Sequence, residues 1–426
     1  MANIPFPRGV RDLMPNEALF RNELLGKAEA IFQRFGFLAI DTPTFESLKI
    51  LKAKGAIGED VKLLYETNED LGLRYDFTVS LARYVSMHQD LPLPFRRYAI
   101  GKSWRREEPQ RLRYREFTQA DVDIVGGRGP AADAEVIAVP SIILEEIGLD
   151  YTVLINNRKI VEQMLSSFGI PKDRSIAVMR AVDKLEKIGE DGVTKLLVEA
   201  GIDKDVIRRI MDFIALKGSN DDKLAYVSAI LKEGDGNTAI GELKQTLQLL
   251  AAYGLKGTMM VDFSLMRGFD YYTDIVMEVK ANTKKTRSSI GGGGRYDKLI
   301  SLYGGKDLPA VGMSLGIDRI LDLLDFSSST KYTYAKAFVI NVKDKNYAYA
   351  LKVANFLRAN GISIDINVAT RNISNQLSYA NSLKIGYAII VGDEEERSNK
   401  VKLRNLVDGQ ETMLPLSEAL AKLKGT

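Results

Sequence analysis

Residues 98–126, YAIGKSWRREEPQRLRYREFTQADVDIVG, constrain the fold of this chain more than any other stretch, because they read as two antiparallel strands around a charged loop. Strand side chains alternate with period two. In the second strand Thr118, Ala120, Val122 and Ile124 therefore share one face, and Phe117, Gln119, Asp121 and Asp123 share the other. The first face suits a core and the second suits a site. Arg105 and Glu107 close the incoming strand, and the loop adds Arg111, Arg113 and Arg115. Guanidinium groups able to grip phosphate thus stand beside carboxylates able to grip an ammonium. A mixed-charge amphipathic hairpin facing solvent is the plainer alternative.

A length of 426 residues exceeds one ordinary core and predicts two or three domains. With 59 Lys and Arg against 56 Asp and Glu, the net charge is only +3, so any polyanion has to be met by local patches. The absence of Cys excludes disulfides, thiolate catalysis and Cys-rich zinc sites, and fits a reducing cytosol. The single His, His88, cannot form a two-His metal site. It ends an amphipathic helical pattern, where a C-terminal capping role suits it better than catalysis. No apolar run reaches bilayer length, and residues 1–11 lack a signal-peptide core. The expectation is a soluble cytoplasmic protein.

Residues 17–35 place Leu19, Phe20, Leu24, Leu25, Ala28, Ile31 and Phe32 at helical spacing. A short strand is predicted over 37–41, stopped by Thr42-Pro43, since the residue before Pro is pushed to extended geometry. Residues 63–76 read as a hairpin turning at Asn68-Glu69-Asp70, and 78–87 as a helix capped by Thr78 or its neighbour. After the charged hairpin come a helix over 132–147 and a strand over 151–155. Helix then follows helix from 175 to 253, with turns at Gly201-Ile202-Asp203, Gly218-Ser219-Asn220 and Gly234-Asp235-Gly236. Strand signals return over 258–279, followed by the run Gly291, Gly292, Gly293, Gly294 and a helix after Gly316. Residues 326–334, FSSSTKYTY, have the composition of a linker. Beyond it, β-rich runs at 337–342, 362–368 and 387–391 alternate with helical patterns at 347–359 and 374–385, which predicts a small α/β domain with a mainly parallel sheet.

No GxxxxGK[ST] loop occurs, and the Gly run does not open a βαβ unit, so a bound nucleoside triphosphate would have to be held by arginines. The candidates are Arg105, Arg113, Arg267 and Arg319; taken singly, each also suits an ordinary surface. In RGFDYYTDIVMEV, Asp270 and Tyr272 are expected on one strand face and Tyr271 on the other, with Ile275 and Met277 in the core. The stretch 291–295 reads either as a flexible loop or as backbone lying against a ligand where any Cβ would intrude.

Together these residues resemble the class II histidyl-tRNA synthetases. Pro43 lies in a stretch similar to motif 1, residues 105–123 resemble motif 2, and VGMSLGIDRI at 311–320 resembles motif 3. RGFDYYTD and GGRYD resemble the two segments peculiar to the histidine enzymes and their paralogues, and PRGVRDLMP resembles their opening. LRYDFT and QADVDIVG look more like the archaeal and eukaryotic branch, and Asp318 stands where that family usually has Glu before the motif 3 Arg. The resemblance covers essentially the whole chain.

It implies an α+β fold. An antiparallel sheet flanked by helices would span 1–170 and 256–326 as a catalytic domain, interrupted by a helical insertion domain at 171–255 and followed by an anticodon-binding α/β domain at 335–426. It implies activation of L-histidine with ATP and transfer to tRNA(His), by a homodimer that needs Mg²⁺. Asp76, Thr78 and Gln119 would take the α-ammonium, which needs acceptors converging on one cation. Asp123 and Tyr272 would read the imidazole, and Tyr271 and Tyr296 are further implied histidine-binding residues. Arg105 and Arg267 would be catalytic at the α-phosphate, Arg319 would hold the γ-phosphate end, Arg113 the polyphosphate and Phe117 the adenine. Glu107 would lie by the adenine or reach Mg²⁺, with no direct metal site otherwise expected. Gln110 and Arg111 are candidate tRNA contacts at the acceptor end, and Arg371, Asn375, Gln376 and Tyr379 are candidates in the last domain, where a solvated helix face is the alternative. A silent paralogue resembling the ATP phosphoribosyltransferase regulatory subunit is the rival, along with an RNA-binding sensor. Against the former, residues 337–424 resemble the anticodon-binding domain that such paralogues generally lack, and both Arg105 and Arg267 are present.

Overall fold

The computed structural model describes residues 5–53, 58–266, 271–285, 288–324, 332–369 and 372–425. The chain divides into two compact units, Met1–Arg11 with Leu24–Leu324, and Asp12–Glu23 with Asp325–Thr426. The chain opens with α1 (Pro15–Arg34), whose predicted apolar stripe is buried at Leu19, Leu24, Ala28, Ile31 and Phe32. Next come β1 (Leu38–Ala39), β2 (Phe45–Ser47), α2 (Leu48–Leu51), β3 (Leu71–Leu73) and α3 (Thr78–Met87). The charged hairpin is β4 (Phe95–Trp104) and β5 (Glu116–Val125), followed by α4 (Pro130–Glu146), β6 (Tyr151–Asn157) and α5 (Arg158–Ser167). Five helices follow: α6 (Lys172–Val182), α7 (Leu185–Glu199), α8 (Lys204–Ile214), α9 (Asn220–Ile230) and α10 (Asp235–Ala252). The larger unit ends with β7 (Thr258–Val261), β8 (Ile275–Ala281), β9 (Ser289–Arg295), α11 (Leu299–Leu302), β10 (Ala310–Gly316) and α12 (Ile317–Leu323).

Its main sheet has eight strands in the order β1-β4-β5-β10-β9-β8-β6-β7. Pairing is antiparallel except at the two edges, where β1 runs parallel to β4 and β7 parallel to β6. The predicted breaks in the helical stretch sit at Gly201, Gly218 and Gly234, all with positive φ, a conformation that costs a residue with a Cβ. Asp203 and Ser219 then cap α8 and α9 by accepting from backbone N–H groups of the first turn. Helix α10 packs along α4 and α5.

Several expectations need correction. Strand β3 pairs with β2 rather than closing a regular hairpin on 63–67; only bridge-like bonds join it to Tyr65 and Thr67, around a turn where Asp70 has φ 55°. The N–H groups at the start of α3 are capped by Asp76, whose Oδ1 accepts from Thr78 N at 3.0 Å and Val79 N at 3.2 Å, because a carboxylate two residues upstream reaches both. His88 is the C-cap of that helix, as expected, and is exposed. The strand signal over 258–279 resolves into two separate strands, β7 and β8, and Tyr271 and Tyr272 precede the second. The glycine run is no loop: Gly291 to Gly294 lie inside β9, hydrogen-bonded to β8 on one side and β10 on the other.

The smaller unit contains β11 (Ala337–Asn341), α13 (Tyr347–Ala359), β12 (Ile364–Ile366), α14 (Ile373–Ser382), β13 (Tyr387–Val391), α15 (Asp393–Ser398), β14 (Lys400–Asn405), β15 (Glu411–Pro415) and α16 (Leu416–Lys424). Its sheet runs β12-β11-β13-β14-β15. The first three strands are parallel, as predicted; the last two add an antiparallel hairpin around Asp408-Gly409. Most of the proposed linker, up to residue 331, lies outside the described residues.

Candidate active site

Directly opposed residues of neighbouring strands share a sheet face. Across the middle of the main sheet, Arg97 of β4 faces Asp123 of β5, which faces Gly312 of β10, which faces Gly294 of β9. One step along, Asp121 faces Ser314, which faces Gly292. The acidic face of β5 therefore looks onto strands that carry almost no side chains. A Cβ on Gly312 would lie 1.8 Å from Asp123 Oδ1, and one on Gly294 would lie 2.8 Å from the Tyr272 ring. The missing Cβ atoms leave a cavity of about 250 Å³ on this face.

One end of the cavity is acidic. Asp123 is 2 % exposed; its Oδ2 pairs with the fully buried Arg97 at 2.7 Å, and its Oδ1 accepts from Tyr296 Oη at 2.5 Å. Burial pushes this carboxyl up from its ordinary range, and Arg97 opposes the shift. Burial likewise raises Asp76, with Arg105 opposing it most. Asp76 has Oδ1 committed to the start of α3 and Oδ2 without a hydrogen-bond partner among the described residues. Gln119 donates to Ser314 Oγ at 2.7 Å, and its Oε1 is buried with no donor to accept from. Tyr271 and Tyr272 both line the cavity, with hydroxyls 3.3 Å apart and ring centroids 4.5 Å apart. The expected opposition of the two tyrosines fails because strand alternation does not extend upstream of Ile275.

The other end is cationic. The Arg105 guanidinium lies 4.1 Å from the Tyr75 ring centroid and 5.1 Å from that of Phe117, which fixes its plane between two aromatic rings. Arg113 is paired with Glu107 at 3.3 Å near the rim. Arg319 donates to the carbonyls of Leu112 at 3.0 Å and Ser289 at 2.7 Å. Its neighbour Asp318 takes another task, accepting from Thr118 N at 2.5 Å and Arg11 at 3.3 Å, so the shorter carboxylate does not leave Arg319 unsupported. Arg11 also pairs with Asp322 at 2.5 Å and lies 4.5 Å from the Tyr114 ring centroid, while Tyr114 donates to Asp322 at 2.8 Å. The N-terminal segment thus straps the β4–β5 loop to α12. Losing two charge-assisted bonds of about 1.5–3 kcal/mol each should loosen that strap, so Arg11→Ala is expected to weaken binding of a nucleoside triphosphate at the cationic end roughly tenfold, with Arg11→Lys recovering part of it. Calorimetric titration of a nucleoside triphosphate into the wild type and both variants would check this, and affinity unchanged in Arg11→Ala would refute it.

The cavity therefore brings together Asp76, Thr78, Arg105, Glu107, Arg113, Phe117, Gln119, Asp123, Tyr271, Tyr272, Tyr296 and Arg319. Gln110 and Arg111 are exposed in the β4–β5 loop and do not line it. Arg267, Asp270 and Arg371 lie outside the described residues. In the smaller unit Asn375 and Tyr379 are exposed. Gln376 must be withdrawn as a surface contact, because it is 1 % exposed and donates to the Asn341 carbonyl at 3.1 Å. Sequence reading missed Arg97, Tyr75, Tyr114 and Ser314, and it put Asp121 on the site face without giving it a role. Asp121 carried a signal, sharing the period-two face of Gln119 and Asp123; Arg97 did not. Among the described residues no group of three or more His, Asp or Glu side chains is placed to hold a metal ion. No described helix is long and apolar enough to cross a membrane.

A broad antiparallel-rich sheet with an acidic recess on its central strands, and arginines brought to it by the β4–β5 loop and α12, defines the catalytic fold of a class II aminoacyl-tRNA synthetase. Residues 9–320 match the family described as Histidyl-tRNA synthetase, and residues 336–426 the one described as Anticodon binding domain. The chain belongs to the histidyl-tRNA synthetase family. It is 37 % identical over 412 residues to a histidine–tRNA ligase of Korarchaeum cryptofilum, covering 94 % of each chain. It is also 37 % identical over 430 residues to one of Clostridium tetani, covering 98 % of this chain and 97 % of that one. The crystal structure of a Nostoc histidyl-tRNA synthetase superposes with a TM-score of 0.87 at 29 % identity, covering 100 % of both chains. A Bacillus halodurans structure described as an ATP phosphoribosyltransferase regulatory subunit/histidyl-tRNA synthetase shares the fold, with a TM-score of 0.77 at 21 % identity over 92 % of this chain and 98 % of that one.

Proposed function

We propose that this chain is a histidine–tRNA ligase, which activates L-histidine with ATP and transfers it to the 3′ end of tRNA(His). The observation that carries the reading is the polarity of one cavity: buried acceptors lacking donors at one end, and guanidinium groups held by aromatic rings and carbonyls at the other. The acidic end fits an ammonium and an imidazole; the cationic end fits a triphosphate. Asp76, Gln119 and Thr78 hold the α-ammonium. Asp123 and the hydroxyls of Tyr271, Tyr272 and Tyr296 surround the imidazole. A site that hydrogen-bonds its substrate in this way rejects analogues lacking the groups by about 10⁴–10⁵, so no editing site is needed.

The histidine carboxylate attacks the α-phosphorus of ATP, its oxygen forming the new bond as pyrophosphate leaves, and Arg105 stabilises the negative charge at that phosphorus. Arg267 is assigned the same task. Arg319 and Arg113 hold the departing phosphates, and Phe117 stacks on the adenine. Mg²⁺ is usually held by one or two carboxylates plus substrate phosphates, a donor set that Glu107 and ATP complete, and it would neutralise phosphate charge there. The terminal ribose hydroxyl then attacks the adenylate carbonyl and AMP leaves. The smaller unit would meet the anticodon through Asn375 and Arg371, with Gln110 and Arg111 near the acceptor end; a cytosolic homodimer completes the reading. The anticodon-binding match at 336–426 weighs against the regulatory-subunit alternative. Pyrophosphate exchange with each of the amino acids in turn is expected to proceed with histidine alone; exchange driven by another amino acid and not by histidine would end the proposal.

A further inference from the structure

Asp121 is 4 % exposed, lines the cavity, and has an Oδ1 with no hydrogen-bond partner. It differs from the other two carboxylates of the recess. Asp123 has both oxygens engaged by the protein, and Asp76 has one oxygen engaged by α3. Asp121 forms no ion pair among the described residues; the polar group opposite it is Ser314. Burying a carboxylate with an open acceptor costs free energy that the fold itself does not recover, so its partner is to be sought among ligands. Two residues away on the same face, Gln119 presents a second open acceptor, Oε1, and Asp76 Oδ2 is a third. A primary ammonium carries three N–H donors and no acceptor.

We propose that Asp121 is a third carboxylate of the amino-acid site, and that its Oδ1 accepts a hydrogen bond from the α-ammonium of histidine together with Asp76 and Gln119. The electrostatics agree. Burial, followed by an opposing effect of Arg97 and an assisting one of Asp123, pushes the Asp121 carboxyl up to about 7, and a cation arriving beside it would restore its charge.

The inference rests on the proposed function, and the test separates the two. Histidine and 3-(imidazol-4-yl)propionate, which lacks the amine, would be titrated calorimetrically into the full-length wild type, Asp121→Asn and Asp121→Ser. The KM for ATP in histidine-dependent pyrophosphate exchange reports whether the rest of the site stands. The amide and the hydroxyl should each weaken histidine at least tenfold, leave the deamino analogue within about twofold, and leave the KM for ATP within about twofold. Equal weakening of both ligands, or histidine affinity within twofold of wild type, would overturn the assignment. Loss of ATP binding in both variants would make Asp121 a scaffold residue and overturn it as well. Wild-type protein that binds histidine without exchanging pyrophosphate would sink the proposed function and leave this inference to stand on the calorimetry.

Discussion

Replacement of Arg97 by Met is expected to cost about 3–5 kcal/mol of stability, the usual loss when one partner of a buried ion pair is removed. Arg97 is fully buried and 2.7 Å from Asp123, so a methionine would fill much of the volume and leave the carboxylate without its cation. The loss should depend on pH. Asp123 is already held above its ordinary range, and without Arg97 it would rise further. A carboxyl whose folded pKa exceeds its unfolded value subtracts stability as pH climbs from the unfolded value through the folded one. The deficit should therefore be small near the ordinary carboxylate value of 3.8 and grow toward neutrality. Urea denaturation of wild type and variant across that range would measure it. A deficit under about 1 kcal/mol at neutral pH, the level of an exposed pair, would mean that Tyr296 alone holds Asp123.

Gly312→Ala should be the more damaging change for activity. The new methyl would lie 1.8 Å from Asp123 Oδ1 and 3.1 Å from the Val122 carbonyl, in a strand paired on both sides and unable to move aside. Asp123 would have to swing off Tyr296 and Arg97. Forfeiting charge-assisted bonds of about 1.5–3 kcal/mol each predicts a fall in kcat/KM for histidine of at least roughly 100-fold. Gly241→Ala on α10 is the control: nothing lies within 4 Å of its added Cβ, and helix propensity favours Ala by about 1 kcal/mol. If Gly312→Ala kept the histidine kinetics of the control, the tight seat of Asp123 would have no functional weight.

The polar face of β5 was legible because period-two alternation depends only on local geometry, and the hairpin keeps that geometry from Glu116 to Val125. The same rule misplaced Tyr271, where the chain is not yet a strand. The glycine run could not be assigned from propensity. Glycine has little intrinsic tendency to form strand, and β9 exists because β8 and β10 supply partners on both sides. Gln376 was misread because a polar residue on a helix suggests solvent; here it falls on the buried side of α14, one turn before Ala380, and spends its amide on the Asn341 carbonyl. The β14–β15 hairpin was within reach. Lys400, Lys402 and Arg404 alternate with buried Val401 and Leu403 ahead of an Asp408-Gly409 turn. The Arg97–Asp123 pair was not, because cross-strand register is a tertiary fact.

Arg319 is riveted by two carbonyls that lie far apart along the chain, at Leu112 and Ser289. Its long side chain therefore surrenders its rotational freedom when the domain closes, not when a nucleotide arrives, which spares binding an ordering cost of about 0.5–1.5 kcal/mol. The same rivet couples ligand competence to the completeness of folding. An intermediate in which the β4–β5 loop has formed but β9 has not yet docked would offer this guanidinium no fixed aim, so a half-built sheet would have little grip on a triphosphate.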